Sequence, residues 1–181
     1  AKLDELVRIL GRDVNAHPKT IVFTHHSEFQ SLVAKRLAAE DIPFVQITSA
    51  ASQNARAKAL RSFANDSVSV FVLSIKSASV GLTLTAASRI VLLEPGLSLA
   101  TERQAIGRLH RFGQTRPVHV IRLLVRGTVD EKIVAMHDSR KAAAALASPY
   151  SSTTVVAASS DAQQVDVDDD PSSEADPEGA A

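Results

Sequence analysis

The chain has 181 residues, 45% of them apolar, with 20 basic and 20 acidic residues and no cysteine. That is enough apolar material for one ordinary domain with additional segments, and the lack of cysteine excludes a disulfide scaffold and cysteine-type zinc sites. The longest apolar runs, such as VSVFVL at 68–73, fall far short of the roughly 20 residues of a membrane span, and AKLDELVRIL at the start is not a signal peptide. A soluble protein is expected, and Ala1 in place of Met reads as the start of a fragment.

In chain order, Leu3, Leu6, Val7 and Leu10 follow the spacing of an amphipathic helix that Gly11 can stop. TIVFT (20–24) reads as a buried strand. Ser27 and Gln30 then form a capping box for a helix with Phe29, Leu32, Val33 and Leu37 inward, ended by Asp41-Ile42-Pro43. FVQIT (44–48) is a second strand, 52–64 a helix with Leu60 and Phe63 inward, and VSVFVLS (68–74) a third strand. RIVLLE (89–94), stopped by Pro95, is a fourth; after a helix from about Leu99 comes VHVIRLLV (118–125), then a last helix capped by Thr128 and Glu131.

Short apolar strands alternating with longer helices predict an open α/β fold, a parallel sheet with helices on both faces. Ligands of such sheets gather at the carboxyl ends of the strands, so function is sought in the loops after 24, 48, 74, 94 and 125. Residues 148–181 carry eight acids and no Lys or Arg, leaving 20 basic against 12 acidic residues, a net +8, in 1–147. We therefore expect one domain over 1–147 with an anionic partner, and a disordered acidic tail over 148–181, where too few large apolar groups offset the entropy of ordering.

The densest chemistry lies in QAIGRLHRFGQTRP (104–117). If the helix from Leu99 continues, Gln104, Arg108 and Arg111 project from one face, and paired guanidinium groups match the oxygens of a transferring phosphoryl group. The alternative is a solvated basic helix end paired with Glu94 or Glu102.

QAIGRLHRFGQTRPVHVIRLLVRGTVDEKI (104–133) resembles motif VI and its continuation in SWI/SNF-type ATPases of helicase superfamily 2. LSIKSASVGLTLTAASRIVLLEP (73–95) is similar to motif V, and KTIVFTHHSEF (19–29) to motif IV, with Arg56 and Phe63 matching the helix before motif V. The run from VLLEP through GRLHRFGQT is closest to the SHPRH-like branch, whose lobes flank an inserted RING domain. The resemblance implies a second RecA-like lobe with Arg108 and Arg111 as arginine fingers toward ATP on the first lobe. It further implies that Gln104 helps place the phosphates, Gly81 lets the backbone approach the nucleotide, and Thr83 stands near the ribose. Thr24, His25, Ser74 and Lys76 take the family's DNA-contact positions. Implied partners are double-stranded DNA or a nucleosome, the N-terminal ATPase lobe, and ubiquitin machinery through an upstream RING; the implied compartment is the nucleus, with no membrane.

The chain departs from the family pattern at Ser74-Ile75-Lys76-Ser77-Ala78-Ser79, where relatives have a Gly-rich run with Arg, and at Leu93-Glu94-Pro95-Gly96-Leu97-Ser98, where they have an acidic and aromatic segment. No glycine opens a GxxxxGK[ST] phosphate loop, and Asp130-Glu131 reads as helix capping rather than a Mg²⁺-binding pair. ATP and Mg²⁺ are thus expected on a first lobe outside this sequence, the chain alone being inactive. The competing function is a truncated, non-enzymatic module that binds DNA or a partner protein. A Rossmann enzyme would need GxGxxG after a strand, and none is present. His25-His26 reads as a loop rather than a metal site, His110 as positional rather than a general base, and Val165 to Asp170, despite a likeness to SUMO-interacting motifs, as solvated acidic tail.

Overall fold

The structure, a computed structural model, describes residues 1–12, 15, 17–65, 68–78, 84–109, 113–144 and 154–157. Its helices are α1 (Lys2–Gly11), α2 (Ser27–Ala39), α3 (Gln53–Ala64), α4 (Ile75–Ala78), α5 (Leu99–Ile106) and α6 (Val129–Ala144). The strands are β1 (Thr20–Thr24), β2 (Phe44–Ile47), β3 (Val70–Ser74), β4 (Arg89–Leu92), β5 (His119–Leu124) and β6 (Thr154–Ala157). All pairings are parallel, in the order β2-β3-β1-β4-β5-β6. The five expected strands are present and the expected fold class holds.

Both faces of the sheet are covered, which is why the central strands read as unbroken apolar runs. Val22, Val72, Val91 and Leu123 pack with Leu6, Ile9 and Leu10 of α1 and Val33 and Leu37 of α2. The alternate residues Ile21, Phe23, Phe71, Leu73, Ile90 and Leu92 meet Phe63 of α3 and Ala105 and Leu109 on the other face. At the amino end, the buried Lys19 donates from Nζ to the Phe63 carbonyl at 2.5 Å and to that of Asn65, placing a cation at the carboxyl end of α3.

Several local expectations need correction. His26, not Ser27, is the N-cap of α2. Gln30 is buried and donates from Nε2 to the carbonyls of Ile47 at 2.9 Å and Val72 at 3.4 Å, tying α2 to the end of β2 and the middle of β3 instead of to its own cap. Leu32 faces solvent, 50% exposed, because the inward stripe runs through Gln30, Val33 and Leu37. At the start of α6, Thr128 Oγ1 accepts from Asp130 N–H, while Glu131 reaches back to Gly127 N–H rather than to Thr128.

The tail enters the sheet at four residues. TVVA at 154–157 forms β6 beside β5, pairing Ile121 with Thr154 through Leu124 with Ala157. A run rich in β-branched residues suits an otherwise open edge of backbone N–H and C=O groups. The rest of the proposed tail lies outside the described residues.

Candidate nucleotide and nucleic-acid edge

The parallel sheet brings the loops after β1, β3 and β4 to one edge, and Thr24, His25, Ser74 and Lys76 lie there. Thr24 ends β1 and is buried; its Oγ1 donates to Glu94 Oε1 at 2.9 Å and accepts from His26 N–H at 3.2 Å. The other Glu94 oxygen accepts from His25 N–H at 3.2 Å, so one carboxylate closes the loop after β1 onto the end of β4. Ser74 ends β3, and its hydroxyl meets that of Ser77 at 2.7 Å and accepts Ser77 N–H. Lys76, on the single turn α4, is exposed.

His25 is half-buried with its Nε2 enclosed and without a hydrogen-bond partner. Burial holds its pKa below the ordinary histidine value, against the pull of Glu94 and Glu102 and with the push of His26 and Lys76. The imidazole is thus neutral near pH 7. Its ring lies against Gly96, where a Cβ would come within 2.6 Å of Cε1 and 2.7 Å of Nε2.

α5 stops at Ile106, so Gln104 and Arg108 do not share one continuous helix. Gly107 is its C-cap, and the N–H groups of Arg108 and Leu109 turn to the carbonyls of Ala105 and Ile106, three residues back. Leu109, fully buried, pulls this tighter turn into the core. Gln104 remains exposed on α5 and Arg108 is half-buried just past its end. Arg111, His110, Gly81 and Thr83 lie outside the described residues.

The turn is fastened to the segment before β4. Leu84 N–H donates to the Arg108 carbonyl at 3.2 Å. Gln114 Nε2 donates to the carbonyls of Ala87 at 2.7 Å and Thr85 at 3.2 Å, and its Oε1 accepts Arg116 N–H. Arg116 in turn donates to the Ala86 carbonyl at 2.8 Å.

Two carboxylates lie at this edge, and each is filled by internal donors. Glu94 holds Thr24 and His25, while Glu102 accepts Gly96 N–H at 2.7 Å and Arg122 Nε at 2.9 Å. Among the described residues no group of three or more His, Asp or Glu is arranged to hold a metal ion. The Glu102–Arg122 pair escaped sequence reasoning because its members are 20 residues apart with no local pattern joining them.

Residues 1–113 match the family model described as helicase conserved C-terminal domain. Among similar proteins are DNA repair protein rad8 of Schizosaccharomyces pombe, 36% identical over 123 residues, and DNA repair protein RAD5A of Arabidopsis thaliana, 38% identical over 137 residues. A helicase-like transcription factor, CHR28 of Arabidopsis thaliana, is 37% identical over 130 residues. The matches cover 67%, 75% and 71% of this chain but only 11%, 13% and 13% of those proteins. Among solved structures, the C-terminal part of the Fun30 ATPase domain superposes with a TM-score of 0.71 at 24% identity, over 74% of this chain and 44% of that one.

Proposed function

We propose, from the premise that this chain belongs to the helicase conserved C-terminal domain family, that it is the second lobe of a two-lobe, DNA-dependent ATPase. Arg108 and Arg111 act as fingers toward a nucleotide held by the first lobe, with Gln104 assisting. Gly81 and Thr83 line the nucleotide side, and Thr24, His25, Ser74 and Lys76 form the edge that meets the DNA backbone. The observation that carries this is the fastening of the Arg108 turn to the segment before β4 through Leu84, Gln114 and Arg116. A fastened turn suits transition-state charge, since backbone already in place leaves less reorganisation as charge develops.

The residues here fit half of a nucleotide site. ATP would supply the phosphoryl group, and Arg108 can meet its oxygens. Because Glu94 and Glu102 are consumed internally, Mg²⁺ would be held by carboxylates of the first lobe. Without that lobe the chain would bind DNA weakly and turn nothing over.

The names of the relatives, two DNA repair proteins and a helicase-like transcription factor, support a nuclear role on duplex DNA. Nucleosome contact and a link to ubiquitin machinery through a RING belong to the same reading. Closing the lobes on ATP and reopening after hydrolysis would alternate the grip on the DNA backbone, making binding sensitive to salt more than to sequence. The test is DNA-stimulated ATPase of the full-length protein: Arg108→Ala and Arg111→Ala are each expected to lower turnover by about 10³. Full turnover in the Arg111 variant would remove the finger assignment.

A further inference from the structure

We infer that Glu102 and Arg122 are a positioning pair that sets where Arg108 stands, an inference that rests on the proposed ATPase-lobe function. Glu102 is 0% exposed and lies on α5 less than two turns ahead of Arg108. Its Oε1 accepts Gly96 N–H at 2.7 Å and its Oε2 accepts Arg122 Nε at 2.9 Å. Arg122 is on β5, beside Leu92 of β4. One carboxylate thereby joins a short helix, the loop after β4 and the neighbouring strand.

Such a pair is a poor device for stability alone. Desolvating both charges offsets most of their attraction, and two apolar residues of similar size often serve as well. What the pair supplies is orientation. The apolar contacts of Ala105 and Leu109 resist separation from the sheet but not a small rotation about the helix axis, whereas two charge-assisted bonds in different directions resist both. Among the described residues, Glu102 is the only side chain of α5 hydrogen-bonded to the sheet or to the loop after β4. α5 has only eight residues and the Arg108 turn follows at once, so any rotation of the helix passes directly to the guanidinium. Gln114 and Arg116 fix the segment beyond the turn; Glu102 fixes the one before it.

The test uses the full-length protein with its first lobe and measures melting temperature, kcat, KM for ATP and Kd for duplex DNA. Glu102→Leu with Arg122→Met removes both charges together. This variant is expected to keep its melting temperature within a few degrees and KM and Kd within about twofold, while kcat falls about 10- to 100-fold, the scale of a roughly 1 Å misplacement. Arg122→Lys is the second variant, keeping the charge but losing the planar fork. It is expected to fold normally and lose roughly tenfold in kcat alone. Wild-type kcat in either folded variant overturns the inference, as does a loss shared equally by kcat, KM and Kd. Arg108→Ala is the control. If it loses turnover and the pair variants do not, only the pair inference falls; if it too keeps full turnover, the finger assignment falls and the inference with it.

Discussion

The His25 ring occupies the space in which a side chain at Gly96 would begin: a Cβ there would lie 2.7 Å from His25 Nε2 and 2.6 Å from Cε1. The loop after β1 and the loop after β4 touch through an absent methyl group, and Glu94 and Glu102 hold that contact from either side.

Gly96→Ala should therefore cost about 1–3 kcal/mol through overpacking, since the ring must shift and its neighbours are buried. Urea unfolding measures this. Adding His25→Ala should recover part of the loss; a double variant as unstable as the sum of the singles would mean the two residues do not compete for space.

Stability should fall on mild acidification. Burial keeps the folded His25 pKa below the ordinary histidine value of about 6.5, so above that pH both folded and unfolded chains carry it neutral and the full stability is present. As pH drops below 6.5 the unfolded chain takes up the proton first, and stability is lost progressively down through the folded pKa. Unfolding free energies at pH 7.5, 6.5 and 5.5 should show this slope, and His25→Phe should flatten it. An equal slope in the variant would assign the effect to another group.

Gln114→Ala removes two donors to the Thr85 and Ala87 carbonyls and the acceptor of Arg116 N–H. A loss of about 1–3 kcal/mol is expected, together with faster hydrogen exchange at the Leu84 amide as the Arg108 turn loosens. Unchanged protection at Leu84 would show that the turn holds without the clamp.

Removing residues 158–181, which hold all eight acids of the tail but spare β6, should tighten binding to duplex DNA by roughly tenfold at low salt, with the gain fading as ionic strength rises. β6 runs parallel to the other strands, so its last residue, Ala157, lies toward the carboxyl edge of the sheet, where Lys76 is exposed. Equal low-salt affinity with and without these residues would make the stretch a passive solubiliser.

The amino-acid sequence alone determined the five-stranded parallel sheet and its helices, because strands covered on both faces must be apolar throughout and the helices between them carry their own period and stops. It also determined the family, since GRLHRFGQ combines arginines and glycines in an order that local structure alone does not demand. Only the tertiary structure decided what the polar residues do. Gln30 has the spacing of a cap yet serves as a strand tie, because carbonyls of two neighbouring strands lie within its reach; Leu32 is apolar yet exposed, because the buried stripe passes one residue behind it. Glu94 meets Thr24 across 70 residues and Glu102 meets Arg122 across 20. α5 ends before Arg108 because burying Leu109 tightens the chain just where periodicity would have continued the helix. Apolar burial is repeated in every element and so leaves a local pattern. A hydrogen bond between distant segments is made once, where folding happens to bring one donor to one acceptor, and leaves none.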